Sequence, residues 1–471
     1  MSTILSADDL NDFIAPGVAC IKPVEIEKTR DTAEIAIGDD GQPQEGGQNL
    51  QPAQISLQDC LACSGCITSS EAMLVELQSP KELLSQLETH REEKVFIASI
   101  CHQTRVSLAK ALNLSIESVD AKLNYLFVEK LGFQCVLGTE IGRVLALEES
   151  WREIREQSAD QRKPILSSIC PGWTLYAEKT HPEVLPYLST VKSPQQLTGR
   201  LAKFLISRDH QIPTNKIYHV SLMPCFDKKL ESSRPDFEFG DSGREVDLVI
   251  TARELIDMLQ NTLQLQFETL GNLPSSQVAY PRNWPHEDQF KSNAGSSSGG
   301  YLDFALQKAR QTAGDGAEIV RNVGKNRDFV EFSVVQNDQV VFKGAQVYGF
   351  RNIQNLVRKF KMNTKPGKVV RSKKGSEIME LGYVELMACP GGCVNGGGQI
   401  GTTESVPAQV WTQEMDMLYS SIPQLELKPD LADSYISEIG ENRDPHWLRA
   451  DHKPIERDTS LPAALTVGTQ W

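Results

Sequence analysis

Four short apolar runs stand out along the chain. Val95-Phe96-Ile97-Ala98-Ser99-Ile100, Pro164-Ile165-Leu166-Ser167-Ser168-Ile169, the span from Lys216 to Met223, and Tyr383-Val384-Glu385-Leu386-Met387 read as buried strands. Helical patterning follows the first three and includes Ser107 to Leu112, Trp173 to Lys179 and Leu197 to Ser207. Strands alternating with helices predict an α/β fold with a largely parallel sheet in each lobe. This texture begins near Lys94. Before it, Asp40 to Gln51 is rich in Gly, Gln and acidic residues and reads as a loop or linker.

Composition adds bounds. A chain of 471 residues exceeds one ordinary core, so two or three domains are expected. A hydrophobic fraction of 40% suits globular packing. No run approaches the roughly 18 consecutive apolar residues of a membrane span. The opening MSTILSADDLNDF lacks the basic start and apolar stretch of a secretory signal, which points to an intracellular protein. A formal charge of −14 disfavours general binding to a phosphate backbone, so no direct nucleic-acid partner is expected.

The cysteines change the picture. In Asp59-Cys60-Leu61-Ala62-Cys63-Ser64-Gly65-Cys66, two-residue gaps let one tight loop wrap three thiolates around a cuboidal cluster, the spacing used by bacterial ferredoxins. Ala62, Ser64 and Gly65 leave room for the backbone to approach inorganic sulfide. Cys20, in the turn-forming Ala15-Pro16-Gly17-Val18-Ala19-Cys20, is the other cysteine before residue 100 and the candidate fourth ligand. A zinc knot is the alternative, although zinc usually draws its thiolates as pairs of C-x2-C.

Four more cysteines share a different context. Cys170, Cys225, Cys389 and Cys393 fall just past the carboxyl ends of predicted strands, where open α/β sheets bind ligands. Three strand ends could therefore bring four thiolates to one cluster between two lobes. The run Gly396-Gly397-Gly398 after Cys393 removes side chains where a bulky cofactor needs close backbone approach.

These segments carry a family resemblance. Ser167-Ser168-Ile169-Cys170-Pro171-Gly172-Trp173, Met223-Pro224-Cys225-Phe226-Asp227-Lys228-Lys229 and ELMACPGGCVNGGGQ (Glu385 to Gln399) resemble, in order, the three signatures of the iron-only hydrogenases. The resemblance includes the Gly-rich Ser296 to Tyr301 and a small-subunit-like segment around His446-Trp447-Leu448. LSADDLNDFIAPGVACIKP and DCLACSGCITS look more specifically like the hydrogenase-like cytosolic iron–sulfur assembly factors of eukaryotes, fungal members above all, which are related to the nuclear prelamin A recognition factor-like proteins. The resemblance implies a two-lobed fold with mostly parallel sheets behind a small N-terminal iron–sulfur domain. The expected divisions are 1–90 for the iron–sulfur segment, 91–265 and 266–415 for the lobes, and 416–471 for the C-terminal segment and tail. It implies one [4Fe–4S] cluster on Cys20, Cys60, Cys63 and Cys66 and a second on Cys170, Cys225, Cys389 and Cys393. The implied role links an early scaffold to a late targeting complex, with its WD-repeat propeller adapter, that matures recipient apo-proteins. The implied location is the cytoplasm, with the nucleus as a second one.

A true hydrogenase is the rival from another class. Cys393 matches the ligand that bridges to the diiron subsite, and Lys228 and Met387 match positions lining it. The family's proton-passing cysteine, however, is replaced by Ile169, which can neither donate nor accept a proton. The third signature also continues into Ile400 where proline is usual. The reading is therefore a non-enzymatic assembly factor; a zinc-stabilised adapter is the other alternative.

Other features receive plainer readings. Cys101 and Cys135 are expected as buried structural thiols. The histidines show no paired metal spacing, and Ser296 to Gly300 lacks the Gly-Lys-Ser/Thr of a phosphate loop. The basic stretch Arg358 to Lys374 reads as a solvated helix end and loop. Trp471, preceded by Gln470, offers a terminal indole and carboxylate and resembles recruitment signals for the targeting complex.

Overall fold

The computed structural model describes residues 74–159, 164–238, 243–323, 326–363, 379–402, 406–426, 431–437 and 447–455. Among them the strands are β1 (Val95–Ile100), β2 (Cys135–Gly138), β3 (Ile165–Leu166), β4 (Ile217–Met223), β5 (Leu248–Thr251), β6 (Glu318–Val323), β7 (Phe329–Gln336), β8 (Gln339–Tyr348) and β9 (Tyr383–Met387). One sheet has the order β2-β1-β4-β5 with every pairing parallel. Its strands are buried almost throughout, which is why they read as continuous apolar runs rather than alternating ones.

The second sheet has the order β3-β9-β8-β7-β6. The β3–β9 and β9–β8 pairings are parallel, but β8–β7 and β7–β6 are antiparallel. The expectation of a largely parallel sheet therefore holds for the first sheet and is corrected to a mixed one for the second. The cause is a two-residue hairpin at Asn337-Asp338, with φ of 50° and 60°. Positive φ at both central residues gives the turn the twist that paired antiparallel strands need.

β1 and β9 occupy the residues the apolar runs predict, and β4 begins one residue later than expected. The second run contracts to Ile165–Leu166. The Ser167 hydroxyl accepts from the Leu386 amide at 2.8 Å, and the Trp173 indole donates to the Ser167 carbonyl at 3.0 Å. Side chains have taken the places that further ladder bonds would fill. Residues 91–265 contribute to both sheets, since β3 pairs with β9.

The expected helical stretches lie inside longer helices, His102–Leu112, Pro171–Thr180 and Pro194–His210. The latter two start on proline, whose missing amide costs nothing in the first turn. At the C-terminal side Trp447 and Leu448 are buried, tied by Lys192 N donating to Leu448 O at 2.9 Å and Ala450 N to Thr190 O at 2.7 Å. Among the described residues no helix is long and apolar enough to cross a membrane.

Candidate functional site

The carboxyl ends of four strands, two from each sheet, face one cavity. Adjacent strands β1 and β4 lead to Cys101 and Cys225, and adjacent strands β3 and β9 lead to Cys170 and Cys389. Cys393 arrives on the turn after Cys389. All five thiols line a cavity of about 60 Å3, together with Ile169, Met223, Asp227, Lys228, Met387, Gln103, Thr139, Arg143, Ser298 and Tyr301. Among the described residues every cysteine is a free thiol.

Local structure holds each thiol in place. Cys170 is the N-cap of Pro171–Thr180, and its sulfur accepts from the Ala388 amide at 3.3 Å. The Cys393 amide donates to the Ser298 hydroxyl at 3.0 Å, and its sulfur lies 3.6 Å from the Met387 sulfur. The turn that carries it needs glycine. Gly392 adopts φ +91°, and a Cβ there would meet the Ser298 hydroxyl at 2.3 Å. A Cβ on Gly396 would meet the Pro224 carbonyl oxygen at 2.3 Å. The close backbone approach anticipated for the Gly-rich run is thus an approach to the loop bearing Cys225. The Gly398 amide completes the link by donating to Pro224 O at 2.9 Å.

The electrostatics suit a deprotonating ligand. Burial pushes the Cys170 thiol up, and burial with the nearby Asp227, Cys389 and Cys170 charges pushes Cys225 well above the usual thiol range. Burial and the Cys170 charge move Cys393 up to about 12. Burial alone would lower Lys228, but Glu231 and then Cys225 and Cys393 hold its ammonium charged. Its Nζ donates to Glu231 at 2.5 Å and to the Ile169 carbonyl at 3.1 Å. Burial thus favours the protonated thiols, and a cationic metal bound there would displace those protons and satisfy the thiolates.

A single zinc ion would need sulfurs about 3.8 Å apart, as tetrahedral geometry at its bond length requires. Among the described residues no three of His, Cys, Asp and Glu converge as one metal ion demands. The thiols instead ring a cavity, which fits a polynuclear cluster taking one thiolate per corner. Three buried polar atoms of cavity-lining residues, Arg143 Nε, Thr139 Oγ1 and the Tyr301 hydroxyl, have no hydrogen-bond partner. Orphaned donors in a buried wall fit a polar occupant.

The structure therefore brings Cys170, Cys225, Cys389 and Cys393 together. Cys20, Cys60, Cys63, Cys66 and Trp471 lie outside the described residues. Cys135 is a buried thiol in β2, as expected. Cys101 departs from expectation: buried it is, but on the cavity wall. Its position directly after a parallel strand carried the same signal as Cys225. Arg143 and Thr139 follow β2 and had no comparable signal, because neither residue type marks a metal site.

Comparison with known proteins places these features. The family description "Iron only hydrogenase large subunit, C-terminal domain" matches residues 94–397. The "Cytosolic Fe-S cluster assembly factor NAR1" of Yarrowia lipolytica is 43% identical over 97% of this chain and 98% of its own length. The protein of the same name from Scheffersomyces stipitis is 44% identical over 100% of both chains. A variant of apo [FeFe]-hydrogenase HydA1 from Chlamydomonas reinhardtii shares the fold, with a TM-score of 0.60 and 21% identity over 82% of this chain and 99% of that one.

Proposed function

The chain belongs to the iron-only hydrogenase large-subunit family, in its group of cytosolic Fe-S cluster assembly factors, and from that premise we propose that it holds two [4Fe–4S] clusters and links the early scaffold to the late targeting complex. The observation that carries the reading is the convergence of Cys170, Cys225, Cys389 and Cys393 on one cavity from strand ends of two sheets. Cys20, Cys60, Cys63 and Cys66 hold the other cluster. When bound, such clusters supply electron-carrying capacity and transferable iron and sulfide.

The chain's own residues do the rest. The four thiols release protons and ligate. Lys228 offsets negative charge at Cys225 and Cys393, and Ile169, Met223 and Met387 keep the wall apolar. Trp471 docks into the targeting complex through its indole. Recipient apo-proteins are matured in the cytoplasm, and those of the nucleus are served as well. The protein is not an enzyme in this reading. Cys393, Lys228 and Met387 do line one cavity, which favours a hydrogenase as second reading. Ile169 stands where the acid is required, however, and general acid catalysis needs a group with a proton to give.

Anaerobic reconstitution with counts of iron and acid-labile sulfide tests this. About eight of each per chain is expected, falling by half in Cys60→Ala and in Cys389→Ala, since each cubane holds four. Zinc without sulfide at either site would leave a zinc-stabilised adapter as the better account of it. Sustained hydrogen evolution would favour the second reading. Loss of binding to the targeting complex on deletion of Trp471 tests the tail.

A further inference from the structure

Cys101 and Cys170 are built alike. Each follows a parallel strand and caps the helix that leaves it: Cys101 sits at φ −83°, ψ 154° before His102–Leu112, and Cys170 at φ −89°, ψ 109° before Pro171–Thr180. The Cys170 sulfur accepts from the Ala388 amide at 3.3 Å. The Thr104 hydroxyl adds a contact of 3.1 Å to Cys101. Each also neighbours a second strand-end thiol in its own sheet, Cys225 for Cys101 and Cys389 for Cys170. The helix N-terminus opposes only part of the burial that pushes both thiols up.

The two sheets thus present matching pairs of thiols to one cavity, and Cys393 is the addition that breaks the match. Its turn is a single one, Cys393–Asn395, held by glycines rather than by a helix. Arg143, Thr139 and Tyr301 leave orphaned polar atoms among the cavity's lining residues, which suits a polar occupant. Cys101 and Cys393 line the same cavity.

We propose that Cys101 is a fifth, reserve ligand at this site, able to take the iron corner that Cys393 gives up. The inference rests on the cluster reading above. Cys101 releases its thiol proton and forms an iron–sulfur bond; the bond to Cys393 breaks and its sulfur takes up a proton. No electron is gained or lost. The exchange keeps the cluster on four thiolates while freeing the one ligand that is not anchored at a strand end or helix cap.

The test uses the full chain in a Cys60→Ala background, so that iron reports on this site alone. That parent is expected to hold about four irons and four sulfides. Adding Cys393→Ala should leave most of them; adding Cys101→Ala as well should lower the count at least three-fold. Equal loss with Cys393→Ala alone, or full retention in the triple variant, overturns the reserve role. An iron-free parent overturns it too, and locates the failure in the cluster reading itself. Cys101→Ala with the four primary thiols intact guards against misfolding as the cause. It should release iron to a chelator several-fold faster than the parent, and an unchanged rate overturns the proposal.

Discussion

Gly392 shows how narrowly single residues fix this site. It combines φ +91° with a Cβ position already filled by the Ser298 hydroxyl. Gly392→Ala is expected to cost about 2 kcal/mol or more, from left-handed strain and crowding together. A lower urea midpoint with reduced iron at the site is the expected readout; unchanged values would mean the turn relaxes freely. His219 gives a residue-scale pH dependence away from the thiols. Its Nδ1 donates to Glu245 O at 3.0 Å and its Nε2 accepts from the Ser99 hydroxyl at 2.8 Å. Burial lowers its pKa from 6.5 to about 4. The unfolded chain therefore binds a proton first as the pH falls. Stability from neutral His219 is fully present above about 6.5, declines below it, and is gone under about 4, on the order of 3 kcal/mol in all. Urea midpoints measured from pH 7 to 4 should show this slope, and His219→Asn should flatten it.

At the scale of elements, β9 organises the Gly-rich segment that lines the cavity. The buried Glu385 accepts from the Leu302 amide at 2.8 Å and the Ser296 hydroxyl at 2.7 Å, and from the Tyr348 hydroxyl. One carboxylate thereby pins the Gly-rich segment and the N-terminus of helix Tyr301–Ala313 to the strand that delivers Cys389. Helix N-termini favour such a negative partner. Glu385→Ala leaves buried donors unpaired and is expected to cost about 3 kcal/mol. Denaturant unfolding measures it. Faster iron loss from the site should accompany it, because Ser298 and Tyr301 lose their anchor.

For the whole molecule, the thiols join two sheets that share no strand. Loading the site therefore cross-links the lobes, and binding to the folded state alone adds stability by mass action. Cys225→Ala or Cys389→Ala should lower the melting temperature of the loaded protein by several degrees. Cys60→Ala should leave the lobes folded with little change. Equal damage from both kinds of variant, read by melting and gel filtration, would contradict a division between a cluster that ties the lobes and one that does not.

Much of this was legible in the chain. β1, β4 and β9 follow from continuous apolar runs, because a strand buried on both faces has no polar side to show. The cysteines that line the cavity followed from their place after those runs, and the family from three ordered motifs. The hairpins of the second sheet were less legible, since Asn337-Asp338 marks a turn only once its flanking strands are recognised. β3 shrank because Ser167 and Trp173 found tertiary partners that no local pattern announces. Cys101 makes the division clearest. The sequence determined a thiol after a strand and before a helix. Only the packing of two sheets decided that this thiol faces the same cavity as four others, because convergence depends on how distant elements pack and not on spacing along the chain.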